Sequence, residues 1–179
     1  RKLAAMRGSF PAWEQSSFSQ PIRNACRTTV APTGTISMLA NCSSGIEPLF
    51  ALAWRKQNIL EGETLDYIHG GFEQDAKLHG FHSQELMDYL TDGGSLQDRP
   101  EIPSDIKAIY RTAPEISPES HVQMQAAFQE YVDSGISKTI NFPYEATQED
   151  VRIAYLKAWE LDCKGITVYR AGSREKEVL

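Results

Sequence analysis

The chain has 179 residues, 41% of them hydrophobic, enough for one domain with a sizeable apolar core. Its formal net charge of −6 argues against a broadly basic surface for a nucleic-acid polymer, while leaving room for a local anion site. No apolar run is long enough to span a bilayer, and no signal-peptide pattern opens the chain.

Residues 1–8 have a helical pattern, with Leu3 and Met6 on one side and Gly8 as the stop. The chain opens inside that pattern and ends just past a strand and turn. The expectation is therefore a segment of a longer polypeptide, or one piece of a split one, with residues 1–22 loosely ordered. Ser9 to Pro21 carries Phe10, Trp13 and Phe18 between prolines and is expected as a packed surface loop. Arg23 is expected as a solvent-facing charge at a strand entry.

Small and β-branched residues from Ala25 to Ala31 predict a strand, broken at Pro32. Thr33-Gly34-Thr35-Ile36-Ser37 then leads into a short helical stretch, Met38 to Asn41. A turn of this kind at a helix start gathers free backbone N–H groups, three hydroxyls and the positive end of a helix dipole. That chemistry suits an anion, most naturally a phosphate, with Gly34 letting the ligand approach the backbone. Pro-Thr-Gly turns with hydroxyl caps are also commonplace without any ligand, and neither a Walker lysine nor a three-glycine dinucleotide fingerprint is present.

Ser43, Ser44 and Gly45 make a polar elbow before Pro48, followed by the apolar run Ile46, Leu49, Phe50, Leu52 and Trp54. Glu47 stands alone in that run. A carboxylate there is either paired structurally or kept for chemistry, and a structural hydrogen-bond role is preferred. Arg55 to Gly71 reads as a hairpin turning at Glu61-Gly62, and Phe72–Leu78 and Ser83–Thr91 read as helices, the latter with a serine cap. His69, His79 and His82 match no common metal-ligand spacing and are assigned to local hydrogen bonds. Ser104 is expected to cap a helix from Asp105 to Tyr110, and Pro118 to open one running to Val132. On that helix His121 falls on or beside the packed face and is expected to be a satisfied core histidine.

Ile136 to Asn141 predicts a second strand. Thr147 caps a helix to Leu161 whose apolar face comprises Val151, Ala154, Tyr155, Ala158, Trp159 and Leu161. Ile166 to Tyr169 predicts a third strand. Strand, helix and strand within about thirty residues make a parallel βαβ unit with a right-handed crossover. Lys138 and Arg170 are expected as solvated charges at strand ends. Cys26, Cys42 and Cys163 are widely spaced, odd in number and without a CxxC pair. They argue against a disulfide scaffold or zinc site and for a reducing cytoplasm, and each is expected to be a small buried apolar residue.

Four motifs in order, APTGTIS, SSGIEPLFA, SKTINFP and AWELDCKGITVYRAGSR, resemble the C-terminal half of the catalytic domain of class II, adenosylcobalamin-dependent, ribonucleotide reductase. The resemblance covers nearly the whole chain, from about Ala4 to Leu179. It implies an α/β fold, the last strands and helices of a ten-stranded barrel built from two antiparallel halves of five parallel strands each. It assigns the grip on a ribonucleoside diphosphate's phosphates to Thr33, Gly34, Thr35, Ile36 and Ser37. The family's thiyl radical, its redox cysteines and its active-site glutamate belong to motifs upstream of these, so no catalytic and no metal-binding residue is assigned here, and Glu47 is not that glutamate. The implied partners are the substrate and the rest of the reductase, with adenosylcobalamin as cofactor of the whole enzyme, its contact with this segment left open. The isolated chain is expected to be inactive and, with sheet edges uncovered, to self-associate. Two alternatives stand beside this: a non-catalytic nucleotide- or phosphate-binding module, and a structural partner that completes a split enzyme.

Overall fold

The computed structural model describes residues 1–59 and 63–173. Helix α1 (Lys2–Arg7) ends at Gly8, whose φ of 76° is left-handed and suits a residue without Cβ. Residues 25–31 do not form the expected strand. Val30 makes only an isolated parallel bridge to Ile136, supported by Ser137 N–H donating to Val30 O at 2.9 Å and Ser134 N–H to Thr28 O at 3.1 Å. The stretch has a neighbour along one edge, and its β-branched side chains lie largely exposed, so local propensity has no second face to pack against. Helix α2 (Gly34–Ala40) begins four residues earlier than the sequence pattern suggests, and left-handed residues Thr33 (φ 54°) and Asn41 (φ 51°) bound it.

Strands β1 (Ala53–Ile59) and β2 (Glu63–Ile68) pair antiparallel, as the hairpin pattern predicts, while its expected Glu61-Gly62 turn lies outside the described residues. Trp54 faces Tyr67 with stacked rings 5.7 Å apart, and Arg55 faces Asp66 with Nε 2.7 Å from Oδ1. Helix α3 (Gly70–Leu78) is capped by His69, whose Nδ1 accepts from Phe72 N–H at 3.2 Å, and α4 (Gln84–Thr91) by Ser83 as expected. Helix α5 (Ser104–Ile109) contains Ser104 as its first residue, with Pro103 at the cap position, because the proline fixes an extended backbone just before the helix. Phe72, Ala76, Leu86, Met87, Leu90, Leu96, Ile102 and Ile106 close one apolar core over Leu52 and Ala53.

A second core lies under helix α6 (Pro118–Gln129) and the unit formed by β3 (Thr139–Phe142), α7 (Gln148–Glu160) and β4 (Thr167–Arg170). The strands pair parallel in the register Thr139–Thr167 through Phe142–Arg170, which is the βαβ unit read from the sequence. Val122, Ile140, Phe142, Ala154 and Ala158 fill this core. The face of α7 is narrower than the pattern implied: Tyr155 and Trp159 are exposed at 48% and 76%. Small Ala154 and Ala158 face the core, where α7 lies closest to α6, and Tyr155 and Trp159, one position further round, are turned outward. On α6, Met124 and Phe128 are likewise exposed, whereas His121, Val122, Gln125 and Gln129 are buried. Among the described residues there is parallel pairing and no closed barrel, and no helix is long and apolar enough to cross a membrane.

Candidate functional site

The turn at Thr33–Ser37 is held from behind by the elbow that follows α2. Thr33 Oγ1 accepts from the Gly45 amide at 3.0 Å, Ser37 Oγ donates to Gly34 O at 3.0 Å, and Ser37 Oγ pairs with Ser44 Oγ at 2.8 Å. Thr33 and Ser37 thus use their hydroxyls to fix the loop, and Ser37 is buried. The amides of Gly34, Thr35 and Ile36 differ. Their positions are exposed, and none of the hydrogen bonds among the described residues takes up these three N–H groups. A Cβ placed on Gly34 would meet no protein atom within 4 Å, and its φ is not left-handed. Neither packing nor backbone strain therefore requires glycine there, and the space over it is open to a ligand. The Thr35 side chain stands at the same exposed rim.

Behind the elbow lies a charged cluster that the sequence only half disclosed. Glu47 has the structural role preferred for it: Oε2 lies 2.6 Å from Lys138 Nζ, and Oε1 accepts from the Thr139 amide at 2.5 Å. Lys138 is not a solvated strand-end charge. It is 2% exposed, and its ammonium also donates to Thr139 O at 2.5 Å and to His121 Nδ1 at 2.9 Å. A lysine buried this far needs a carboxylate, and the one available sits 91 positions upstream, beyond the reach of spacing rules. His121 is the satisfied core histidine expected, with Nε2 3.1 Å from Ala113 O. Burial, and then the adjoining Lys138 charge, hold His121 below its ordinary range. Burial pushes Lys138 down as well, while Glu47 pulls it back up.

The remaining charged residues of the sequence analysis have ordinary partners. Arg170 donates from Nε to Ala146 O at 3.2 Å and lies over the Tyr144 ring, and Arg23 reaches the carbonyls of Arg7, Gly8 and Ser9 at 3.4 to 3.5 Å. Cys26 and Cys42 are exposed free thiols rather than buried apolar residues. Cys163 is half-buried, and burial raises its thiol.

A parallel βαβ unit, an extended segment bridged beside it through Val30 and Ile136, and an open glycine-threonine turn at a helix start make this an α/β segment. Residues 2–169 match the family described as "Ribonucleotide reductase, barrel domain", and the chain belongs to that family. Among its relatives is a vitamin B12-dependent ribonucleoside-diphosphate reductase of Mycobacterium tuberculosis, 45% identical over all of this chain and 26% of the relative. The Thermoplasma acidophilum protein of the same name is 48% identical over 99% of this chain and 23% of its own length. Among solved structures, the Actinobacillus ureae class Id ribonucleotide reductase alpha subunit superposes with a TM-score of 0.74 at 25% identity, covering 96% of this chain and 30% of that one. The chain thus spans about a quarter of the length of these curated relatives.

Proposed function

We propose that this chain is the part of an adenosylcobalamin-dependent ribonucleoside-diphosphate reductase that holds the substrate's phosphates, in an enzyme that replaces the ribose 2′-hydroxyl by hydrogen. The observation that carries this reading is the row of open amides at Gly34, Thr35 and Ile36, with open space beside Gly34. The amides and the Thr35 hydroxyl donate to the diphosphate oxygens, and Thr33 and Ser37 hold the turn in the shape that aims them. A firm grip on the phosphates fixes the ribose for chemistry supplied elsewhere in the enzyme.

The radical and redox cysteines of that chemistry belong to other parts of the reductase. Bound adenosylcobalamin supplies the means of generating the radical. A concavity of about 720 Å³, lined by Glu119, Glu145, Asp150, Lys157 and Glu160 around apolar side chains, shares no lining residue with the turn. We place the protein in the cytoplasm, in deoxyribonucleotide synthesis, where exposed thiols at Cys26 and Cys42 stay reduced.

The partner is the rest of the reductase, which covers Ile36, Met38, Leu39, Tyr155 and Trp159, all exposed here. Without it the chain self-associates and residues 1–22 loosen; sedimentation as a single monomeric species would speak against this.

The reading is tested by mixing the chain with the remainder of the reductase and assaying deoxynucleotide formation. Activity is expected only in the mixture, with a KM raised roughly tenfold by Thr35→Ala, about the effect of one lost charge-assisted hydrogen bond. Diphosphate binding without complementation would favour a stand-alone binding module. Complementation with a KM indifferent to Thr35→Ala would favour a purely structural partner.

A further inference from the structure

We infer that Glu47, Lys138 and His121 form a positioning unit for the phosphate turn, tying it through one buried ammonium to strand β3 and helix α6; this rests on the phosphate reading above. An ammonium has three donors and no acceptor. All three donors of Lys138 are used, on Glu47 Oε2, His121 Nδ1 and Thr139 O. His121 Nδ1 must therefore present its lone pair, which puts the ring proton on Nε2, where it is donated to Ala113 O. Each member of the cluster has one role that satisfies the others, and no buried side-chain nitrogen or oxygen among the described residues lacks a partner.

The cluster's connection to the turn runs through the elbow. Glu47 holds β3 twice, by the Lys138 ammonium and the Thr139 amide. Its own N–H donates to Ser44 O at 2.9 Å. Ser44 meets Ser37, and the Gly45 amide donates to Thr33, so the elbow grips both ends of the Thr33–Ser37 turn. Gly45 is packed so closely that a Cβ would lie 3.1 Å from Ala31 O, leaving the elbow little freedom once Glu47 is pinned. A methionine at position 138 would fill the same volume without the desolvation of a buried charge. A lysine there fixes geometry, which is the best-attested use of a buried ion pair.

The test is steady-state kinetics of the complete reductase with ribonucleoside diphosphate as the varied substrate. Glu47→Gln keeps the size of the side chain but turns an N–H₂ toward one of the two donors that the carboxylate accepts. Lys138→Met removes the ammonium. Each is expected to raise KM about tenfold with kcat within about twofold, the double variant being no worse than the singles because they break one unit. His121→Asn, which still offers Lys138 an acceptor, is expected to retain a KM near wild type. A role confined to stability would lower the melting temperature and the yield of active enzyme while leaving KM alone, and that result overturns the inference. Where these variants do not fold, Ser44→Ala cuts only the link from elbow to Ser37, and an unchanged KM there overturns it equally. Thr35→Ala separates the two readings. A raised KM in Thr35→Ala alone leaves the phosphate turn standing and removes the positioning unit; an unchanged one removes both.

Discussion

Phe72→Ala probes how the first core is built. Phe72 is completely buried on α3, with the ring of Phe81 6.3 Å away and that of Tyr110 at 5.2 Å edge-on. Truncation removes the largest buried side chain of a core whose other walls, Leu86, Leu96 and Ile106, are held by three further helical segments and cannot follow the missing ring. The expected loss is about 3–5 kcal/mol, the usual range for a phenylalanine deleted from a packed core. At roughly 2–4 °C per kcal/mol for a chain of this size, the melting temperature should fall by about 6–20 °C. Circular dichroism measures the fall, and hydrogen exchange locates it. The core under α6 and α7 shares no buried residue with this one, so amides of α3 and α4 should lose more protection than those of α7. A loss below about 1.5 kcal/mol, smaller than a deleted core phenylalanine costs, would show that Phe72 is not enclosed as described. An equal loss of protection in α3 and α7 would show that the two cores unfold as one.

Three further outcomes follow from local geometry. Gly45→Ala forces a side chain into a left-handed position, φ 53°, against Ala31 O, and should cost about 1–2 kcal/mol in thermal unfolding with weakened substrate binding. Thr147→Ala removes the hydroxyl that accepts from Asp150 N–H at 3.2 Å in a capping box, and should cost about 1 kcal/mol in urea unfolding at unchanged m-value. Because His121 is held below its ordinary value near 6.5, the unfolded chain binds more protons than the folded one between the two values. Stability should therefore be complete above about pH 6.5 and fall as the pH drops below it, and His121→Asn should flatten that limb of the stability curve.

What was legible in the sequence was what local chemistry writes. Thr147 and Ser83 announced their helices because a hydroxyl three residues before a free amide satisfies it wherever it occurs. The β3–α7–β4 unit followed from the alternation of β-branched and helical periods. Residues 25–31 failed because β-branched residues describe a willingness to pair, whereas a strand needs neighbours, and Val30 has one bridge. The width of the buried face of α7 failed for a related reason: Trp159 and Tyr155 look like core residues, but the close approach set by Ala154 and Ala158 decides which face goes in. At the candidate site, the Thr-Gly-Thr turn was visible from its residue types. The Lys138–Glu47 pair was not, since a contact across 91 positions leaves no periodic trace. A lone glutamate in an apolar run and a lone lysine in a strand were each a signal of an unmet partner; only the fold joins them.

The claim that the turn at Thr33–Ser37 receives a diphosphate is tested most directly by Gly34→Ala in the complete reductase. Since a Cβ at residue 34 meets no protein atom within 4 Å, the melting temperature should stay level or rise slightly. Affinity for a ribonucleoside diphosphate should fall roughly tenfold or more, the worth of one obstructed charge-assisted contact, while the weak binding of the matching nucleoside is unchanged. Equal affinity for the diphosphate in the wild type and the variant, at equal stability, would contradict the account.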